Sequence, residues 1–308
     1  GTLVSGLRDA LRRSPRARWG LGLFGTFVLL ATLGPLCVGD PGEMVARPLL
    51  PPSVNHWLGT TGQGQDVLAQ TVAGARWSLA IGCIVGVLVT ALGALVGVPA
   101  GYFGGKVDEG LSVLMNVFLV LPGLPLAIVL AAWLPPGPGS IIAVLTLTGW
   151  AWTARVLRAQ TLSLRRRDFV SAALVSGESH AQVMLREILP NMTSLWVSCA
   201  VGTTLYAIGA SAGLEFLGLG DVSRVTWGTN LYWATNDAAL LTGAWWTFAP
   251  TGVCLALVGF ALTLLNLGLD EVTNPRLGAD RAWRRALKAA GMQRAESTPR
   301  LPAAEGER

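Results

Sequence analysis

The sequence predicts an all-α integral membrane protein with six transmembrane helices, and three observations support this fold class. First, 52% of the 308 residues are hydrophobic and only 13% are charged, whereas a soluble domain carries about 25% charged residues. Second, the mean hydropathy is +0.51. Third, the apolar residues gather into runs of roughly the 20 residues that a membrane-spanning helix needs. The chain has room for several such spans but not for a large additional domain.

The N-terminal part is predicted to be a cytoplasmic tail, residues 1–18, followed by a first transmembrane helix, residues 19–38. The tail is polar and basic, and the run that follows it is apolar. A secretory signal peptide has the same order of segments, but no A-x-A cleavage site follows this run. Because the run is also long enough to cross a bilayer, we expect a transmembrane helix here.

Residues 39–77 are predicted to form an extracytoplasmic loop that contains an amphipathic helix. The first part of this segment is rich in Pro and Gly, which favours turns. The last part becomes amphipathic, and a surface helix is expected from about Asp66 to Arg76.

Residues 78–277 are predicted to form the core of the protein, with five further transmembrane helices. The apolar runs that define them are 78–101, 111–134, 138–154, 192–217 and 239–268. Only Pro135 to Pro138 separate the third and fourth spans of the chain, so these two spans should form a tight helical hairpin.

The segments between and after these runs complete the predicted domain organisation. Residues 155–191 are the longest polar stretch between spans, and residues 219–238 should form an extracytoplasmic loop. The tail, residues 278–308, is basic and then rich in Pro, Ala and Glu, so it is expected to be cytoplasmic and partly disordered.

The distribution of basic residues predicts that both termini are cytoplasmic. With six spans and an inner N-terminus, 20 of the 23 Lys and Arg residues fall in inner segments and 3 in outer ones, as the positive-inside rule requires. The five later runs contain no ionisable residue in their interiors. Since ion-coupled carriers usually keep such groups, the energy for any transport should enter elsewhere.

The polar stretch between the fourth and fifth spans is predicted to contain two short helices with a break between them. Asp168 can cap the first helix, and Gly177 suits the left-handed position that ends it. Ser179 to Gln182 fit a capping box that opens the second helix. Val183, Leu185 and Ile188 should form its apolar face, and Pro190 should stop it. From this pattern alone, an ordinary amphipathic hairpin at the membrane interface is an equally good interpretation.

The same stretch resembles the "EAA…G…I-x-LP" loop of ABC importer permeases. Ala172 and Ala173, then Gly177, then Ile188 to Pro190 have the spacing of that motif, although Ser171 replaces its glutamate. In that family the loop docks into a groove of the ATPase subunit. The resemblance therefore implies a docking loop formed by Ala172, Ala173, Gly177, Glu178, Ser179, His180, Leu189 and Pro190.

Three other segments are similar to the C-type permeases of the dipeptide, oligopeptide and nickel class. Residues 56–79 resemble "H-x-LGTD-x-x-GRDVL…GAR-x-SL", but Thr61 and Gln65 replace an aspartate and an arginine. Residues 214–231 resemble "LSFLGLG…WG-x-x-L", and residues 270–277 resemble "D-x-LDPRL".

The resemblance implies a type I ABC importer permease fold, embedded in the cell membrane with lipid around it. It also implies four kinds of partner: a B-type permease subunit, two ATP-binding subunits and an extracytoplasmic substrate-binding protein. The sequence contains no G-x-x-x-x-G-K-[ST] phosphate-binding loop, so the chain should not be an enzyme itself. The implied cargo is a di- or oligopeptide. The alternatives are a nickel complex or glutathione carried by the same machine, or a secondary carrier or channel.

Other residue types give weaker or negative indications. The four cysteines are scattered and the two histidines are far apart, so we expect no metal, no cofactor and no catalytic residues. His180 is expected to be a solvated residue of the capping turn. Because the basic residues cluster at the ends of apolar runs, a nucleic-acid partner is not expected. Most of the tryptophans near the outer ends of spans should belong to an interfacial belt: Trp57, Trp77, Trp227, Trp233, Trp245 and Trp246.

Overall fold

A computed structural model describes the backbone of residues 14–273 and the side chains of residues 14–270. This part of the chain is helical and contains no β-strand, only isolated bridges that join Met44 to Gln65 and Thr60 to Asp66. The all-α fold class predicted from the sequence is therefore confirmed. Most of the N-terminal tail, the C-terminal tail 278–308 and the motif residues 274–277 lie outside the described residues.

Eight α-helices of ten residues or more, together with several short ones, make up the described part of the fold. The long helices in chain order are α1 (Pro15–Cys37), α2 (Val67–Phe103), α3 (Gly105–Val120), α4 (Gly123–Trp133), α5 (Pro138–Leu164), α9 (Thr193–Phe216) and α12 (Ala249–Thr273). One further ten-residue helix, α10 (Trp227–Asn236), lies outside the spans. The short helices are α6 (Asp168–Val175), α7 (His180–Gln182), α8 (Leu189–Asn191) and α11 (Ala239–Thr242), with a π-helical segment (Val183–Ile188) and a 3-10 helix (Trp245–Thr247).

Five of these helices are long and apolar enough to cross a membrane, and a sixth span results if α3 and α4 count as one. The axes of α3 and α4 differ by 84°, so the predicted continuous run 111–134 is a broken helix. The break follows from Pro122, because the residue before a proline is pushed out of the helical region. Leu121 accordingly has an extended backbone, with ψ 133°.

Helix α2 differs from its prediction because it has no separate surface segment. Asp66 caps its first turn, with the Ala69 N–H 3.1 Å from the carboxylate. The helix then continues for 37 residues, so the expected surface helix is the first part of a span. Val67 and Ala75 are buried, and Ala75 packs in a cluster with residues of other helices such as Phe27 and Leu262.

The last predicted run, 239–268, is interrupted at its start. Ala238 and Gly243 both have positive φ, 53° and 72°, and they bound α11 on its two sides, while Phe248 ends the 3-10 helix before α12 begins. The spanning helix therefore begins at Ala249, and the ten residues before it lie outside the span.

The core of the bundle depends on close contact between α2 and α5. Gly93, Gly97 and Gly101 recur every four residues on the face of α2 that meets α5, and a Cβ on Gly97 would lie 2.2 Å from the Ala154 carbonyl oxygen. Small residues at this spacing let two helix backbones approach, which is how helices associate in membranes.

The apolar runs hold no charge, but the helices that contain them extend beyond the runs and do. Asp108 in α3 accepts hydrogen bonds from Arg158 in α5, with Nη2 2.7 Å from Oδ2. Arg155, also in α5, donates to the side-chain oxygen of Asn116. These charged residues lie beyond the predicted runs, because the hydrophobic run stops at residue 154 whereas α5 continues to Leu164.

Candidate functional site

The segment between α5 and α9 lies at one end of the bundle, here called the loop end, and it begins with α6. Asp168 does not cap this helix, contrary to the prediction. Arg167 occupies the capping position and makes no side-chain hydrogen bond to the helix, while Asp168 lies in the first turn. A carboxylate there still stabilises the helix through the helix dipole.

Gly177 ends α6 in the way that the sequence predicts. Its φ is +87°, the left-handed conformation that only glycine adopts freely. The N–H of Gly177 binds the Leu174 carbonyl at 3.1 Å, and the N–H of Glu178 binds the Ala173 carbonyl at 3.1 Å. These two bonds form a Schellman motif. A Cβ on Gly177 would meet nothing within 4 Å, so the backbone conformation, not crowding, requires glycine.

The predicted capping box at the start of the second helix is also confirmed. The Ser179 N–H donates to Gln182 Oε1 at 2.9 Å, and the Gln182 N–H donates to Ser179 Oγ at 3.4 Å. Together, the Schellman motif and the capping box define the turn at residues 176–182 almost entirely by local hydrogen bonds.

Pro190 does not stop the second helix where the sequence suggests. The chain stays helical through α8, and the interruption comes at Met192, with φ −116°. The turn before Pro190 widens into the π-helical segment, in which the Leu189 N–H binds the Met184 carbonyl five residues back. Since proline lacks an N–H and its ring clashes with the carbonyl four residues before it, the widened turn accommodates it.

The predicted apolar face is correct for two of its three residues. Val183 and Ile188 are fully buried against Tyr102 and Leu157. Leu185 instead exposes 64% of its surface, because the wide π turn shifts it away from that face. It lines an apolar groove of about 860 Å³ between this segment and α2.

His180 is exposed in the capping turn, as expected, but it is also anchored to the bundle. Its Nδ1 lies 2.8 Å from the hydroxyl of Tyr102 near the end of α2, and its ring also contacts Phe103 edge-on. The backbone oxygen of the same tyrosine accepts a hydrogen bond from Arg165 at 3.3 Å. The turn is thus tied to the end of a spanning helix.

The eight predicted site residues divide into an exposed group and an anchoring group. Ala172, Gly177 and Ser179 are exposed, and the neighbouring Val175 exposes 90% of its surface. A second group is partly buried or bonded to the bundle: Ala173, Glu178, His180, Leu189 and Pro190. The result is a small apolar tip on a firmly held base, which suits contact with another protein. Within the described residues no His, Cys, Asp and Glu side chains are grouped to hold a metal.

The opposite end of the bundle contains a buried cluster that the sequence did not reveal. Trp227 is fully buried, so its assignment to the interfacial belt is wrong. Its indole N–H donates to the Thr71 carbonyl at 2.9 Å, and its backbone N–H donates to Ser78 Oγ at 2.9 Å. The buried Glu215 accepts a hydrogen bond from Thr226 at 2.6 Å.

The two motif departures near α2 keep a local polar contact. The N–H of Gln65 donates to Thr61 Oγ1 at 3.2 Å, and Gln65 Oε1 accepts from Gln70 at 2.8 Å. His56 and Asp66 also pair across this loop at 2.9 Å. The bond between Gln65 and Thr61 joins the two positions that depart from the resembling motif.

The described part of the chain is a bundle of helices that are long and apolar enough to cross a membrane, with an exposed loop at one end, and this architecture is that of an integral membrane protein. The family model for the inner membrane component of binding-protein-dependent transport systems matches residues 93–276, so the chain belongs to this family. The chain is 34% identical to the dipeptide transport system permease protein DppC of Bacillus subtilis, over 89% of this chain and 87% of that protein.

Two further relatives have similar coverage. The oligopeptide transport system permease protein OppC of Mycobacterium tuberculosis is 34% identical over 85% of this chain and 89% of its own length. A putative peptide transport system permease protein of Brucella suis is 34% identical over 87% of this chain and 90% of its own length. These matches confirm the resemblance seen in the motifs.

Proposed function

We propose that this chain is the membrane-spanning permease subunit of an ATP-driven importer that moves di- or oligopeptides across the cytoplasmic membrane. The observation that carries the proposal is the loop between α5 and α9, whose anchored base and exposed tip occur in a chain of this transport family. The peptide cargo is supported by the relatives, which are described as dipeptide and oligopeptide permeases.

The loop would act as the docking site for an ATP-binding subunit. Its tip offers Ala172 and Val175, small apolar side chains that a groove on a partner can cover closely. Because His180 is bonded to Tyr102, a displacement of the docked loop would pass directly to α2. Since the sequence lacks a phosphate-binding loop, ATP hydrolysis would belong to two separate subunits.

The other partners follow from the same assembly. A second, B-type permease would complete the membrane passage, and an external binding protein would select the cargo and dock near residues 219–238. The two termini and the loop end would be cytoplasmic, as the basic residues indicate. Reporter fusions test this orientation, with a cytoplasmic signal expected at Arg165 and an external signal at Asp221. The reverse pattern would refute it.

The docking role is tested by Gly177→Val and Ala172→Arg in the complete transporter, since Ala172 is exposed at the tip of the loop. Valine resists the positive φ of Gly177, and arginine adds bulk where a groove must close. Both variants should insert and assemble normally but lose the ATPase stimulation that peptide-loaded binding protein gives to the wild type. The measurement is stimulated ATPase rate together with complex yield.

Gly243→Val is the matched control. Gly243 has a positive φ of 72° at the other end of the molecule, and a Cβ there also meets nothing within 4 Å. The backbone penalty is therefore similar, while the loop end is untouched. Full stimulation in both loop variants, or an equal loss in Gly243→Val, would count against a docking role for the loop.

A further inference from the structure

A cavity of about 320 Å³ opens on the side of the helix bundle. Helices α3, α5 and α9 line it, with Leu119, Thr148, Trp152, Thr203 and Tyr206 among its residues. The contributions of α5 and α9 come from the middle of these two spans. The cavity therefore lies near the centre of the bilayer, far from either end of the bundle.

The aromatic residues of this cavity are out of place for a surface that faces lipid. Trp152 exposes 65% of its surface and Tyr206 exposes 41%. Tryptophan and tyrosine usually lie at the membrane interfaces, and a phenol without a hydrogen-bond partner in hydrocarbon costs several kcal/mol. A wet or protein-covered surface removes this penalty.

A neighbouring pair of polar side chains extends the same surface. On the loop-end side, Arg155 lies one turn along α5 from Trp152, and both Arg155 and its partner Asn116 are exposed. Exposed charged and amide groups are costly to bury in hydrocarbon, so this stripe is unsuited to lipid contact.

The broken span adds an independent argument. A Cβ on Gly123, the first residue of α4, would lie 3.8 Å from the Tyr206 hydroxyl, so the break between α3 and α4 borders the cavity region. A broken helix leaves backbone carbonyls without N–H partners. At membrane depth such a break is tolerated only where protein buries it or where it lines a water-filled space.

We propose that this cavity is a station on the peptide's path through the membrane, an inference that rests on the proposed function. The hydroxyls of Tyr206, Thr203 and Thr148 and the indole N–H of Trp152 can bond to main-chain amides, and the aromatic faces can cover apolar side chains. No carboxylate lies among the described lining residues, so the cavity recognises uncharged peptide segments and not the terminal amine. Binding there is weak, which favours onward release.

Cysteine accessibility in the complete transporter, held in lipid nanodiscs, tests the proposal. The four native cysteines, Cys37, Cys83, Cys199 and Cys254, are first replaced by serine. Trp152→Cys and Tyr206→Cys are then treated with a membrane-impermeant cationic thiol reagent. Both should react at least about tenfold faster than a lipid-facing control, because only a hydrated thiolate is an effective nucleophile.

Phe260→Cys provides that control, because Phe260 lies in the middle of α12 and exposes 57% of its surface. A tripeptide with both ends blocked, at millimolar concentration, should slow labelling of Trp152→Cys at least about twofold, as expected for weak occupancy, and leave Phe260→Cys unchanged. If Tyr206→Cys assembles poorly, Thr203→Cys replaces it as the smaller change.

The outcomes separate this inference from the proposed function. If wild-type transporter takes up peptides but the cavity cysteines label no faster than Phe260→Cys, the inference is wrong and the function stands. Labelling that is fast but insensitive to the blocked tripeptide also overturns it. If the wild type takes up no peptide, the proposed function fails, whatever the labelling shows.

Discussion

The two ends of the bundle hold their loops in opposite ways, and two glycines show the difference. At the loop end, Gly177 is required by its φ of +87° and has open space around it. At the opposite end, Gly228 is required by crowding, because a Cβ would lie 2.5 Å from the Glu215 carboxylate oxygen and 2.8 Å from the Ala212 carbonyl oxygen. One glycine sets a backbone turn, and the other lets two segments touch.

The difference extends to the surrounding contacts. The turn at Gly177 is closed by hydrogen bonds between residues three to five positions apart. The cluster around Trp227 depends on bonds to α2, such as the one to Thr71, 156 positions away in the sequence. A locally defined, exposed turn can be presented to a partner without disturbing the fold, whereas the opposite end is part of the packed core.

The largest expected effect comes from removing the centre of that packed end. Trp227→Ala should lower the free energy of unfolding by about 3–5 kcal/mol. The substitution leaves a cavity in a fully buried site, and it removes the indole N–H that donates to the Thr71 carbonyl. The measurement is thermal unfolding of the purified protein in detergent, followed by fluorescence-detected size exclusion.

Trp245→Ala is the control for that variant, since Trp245 lies near the same end but exposes 58% of its surface. We expect its free energy of unfolding to change by no more than about 0.5 kcal/mol, as for substitutions at other exposed positions. If the two substitutions destabilise the protein equally, the contrast between a packed interior and an exposed rim at this end does not hold.

Substitution of Gly177 and Gly228 by alanine and by asparagine tests the comparison further. Gly228→Ala should destabilise the protein by about 1–3 kcal/mol through overpacking, and Gly228→Asn should be worse because it is larger. Gly177→Ala should cost about 1 kcal/mol through its left-handed backbone, and Gly177→Asn should recover most of that loss because asparagine tolerates this conformation.

The order of the two substitutions is the readout, taken from melting temperatures and yields of all four variants. Asparagine should be the better replacement at position 177 and the poorer one at position 228. The same order at both glycines would mean that one physical cause acts at both ends.

This contrast also explains how far the sequence alone could predict the molecule. The turn at Gly177 and the box at Ser179 were correct, because their signals lie within a few residues. The break before Pro122 and the exposure of Leu185 were missed, since both depend on how a proline distorts a helix in its tertiary setting.

The long-range part of the structure was beyond sequence patterns. Trp227 has the residue type and the sequence position that are typical of the interfacial belt, and only its contact with α2 shows that it is buried. The cavity around Tyr206 joins three helices whose pairing no local motif specifies. His180 likewise gained its role only when Tyr102, 78 positions away, came within hydrogen-bond distance.

The smallest expected effect concerns two aspartates at the opposite end that should respond to pH with opposite signs. Hydrogen bonds from Ser223 and Arg224 lower the pKa of Asp221, so its ionised form stabilises the fold above the ordinary aspartate pKa, and this contribution is lost as the pH falls through the lowered value. Burial raises the pKa of Asp237, despite a hydrogen bond from the Gly62 N–H. Its protonated form is therefore favoured in the fold, and that contribution is lost as the pH rises through the raised value.

Asp221→Asn and Asp237→Asn separate the two cases. At about pH 8, where both carboxyls have ionised in the unfolded chain, Asp221→Asn should lower the melting temperature. The corresponding loss in the free energy of unfolding should be less than about 1 kcal/mol, as for other exposed pairs. Asp237→Asn should raise the melting temperature slightly, because the amide removes a poorly solvated charge and its oxygen can still accept from Gly62. The Asp237→Asn difference should shrink as the pH falls through the raised pKa of Asp237. The Asp221→Asn difference should persist to about pH 4 and shrink only below it, because the pKa of Asp221 is lowered from the ordinary aspartate value. Melting curves of the wild type and both variants across this range provide the measurement, and a shift of the same sign for both at the higher pH would show that burial does not distinguish these carboxylates.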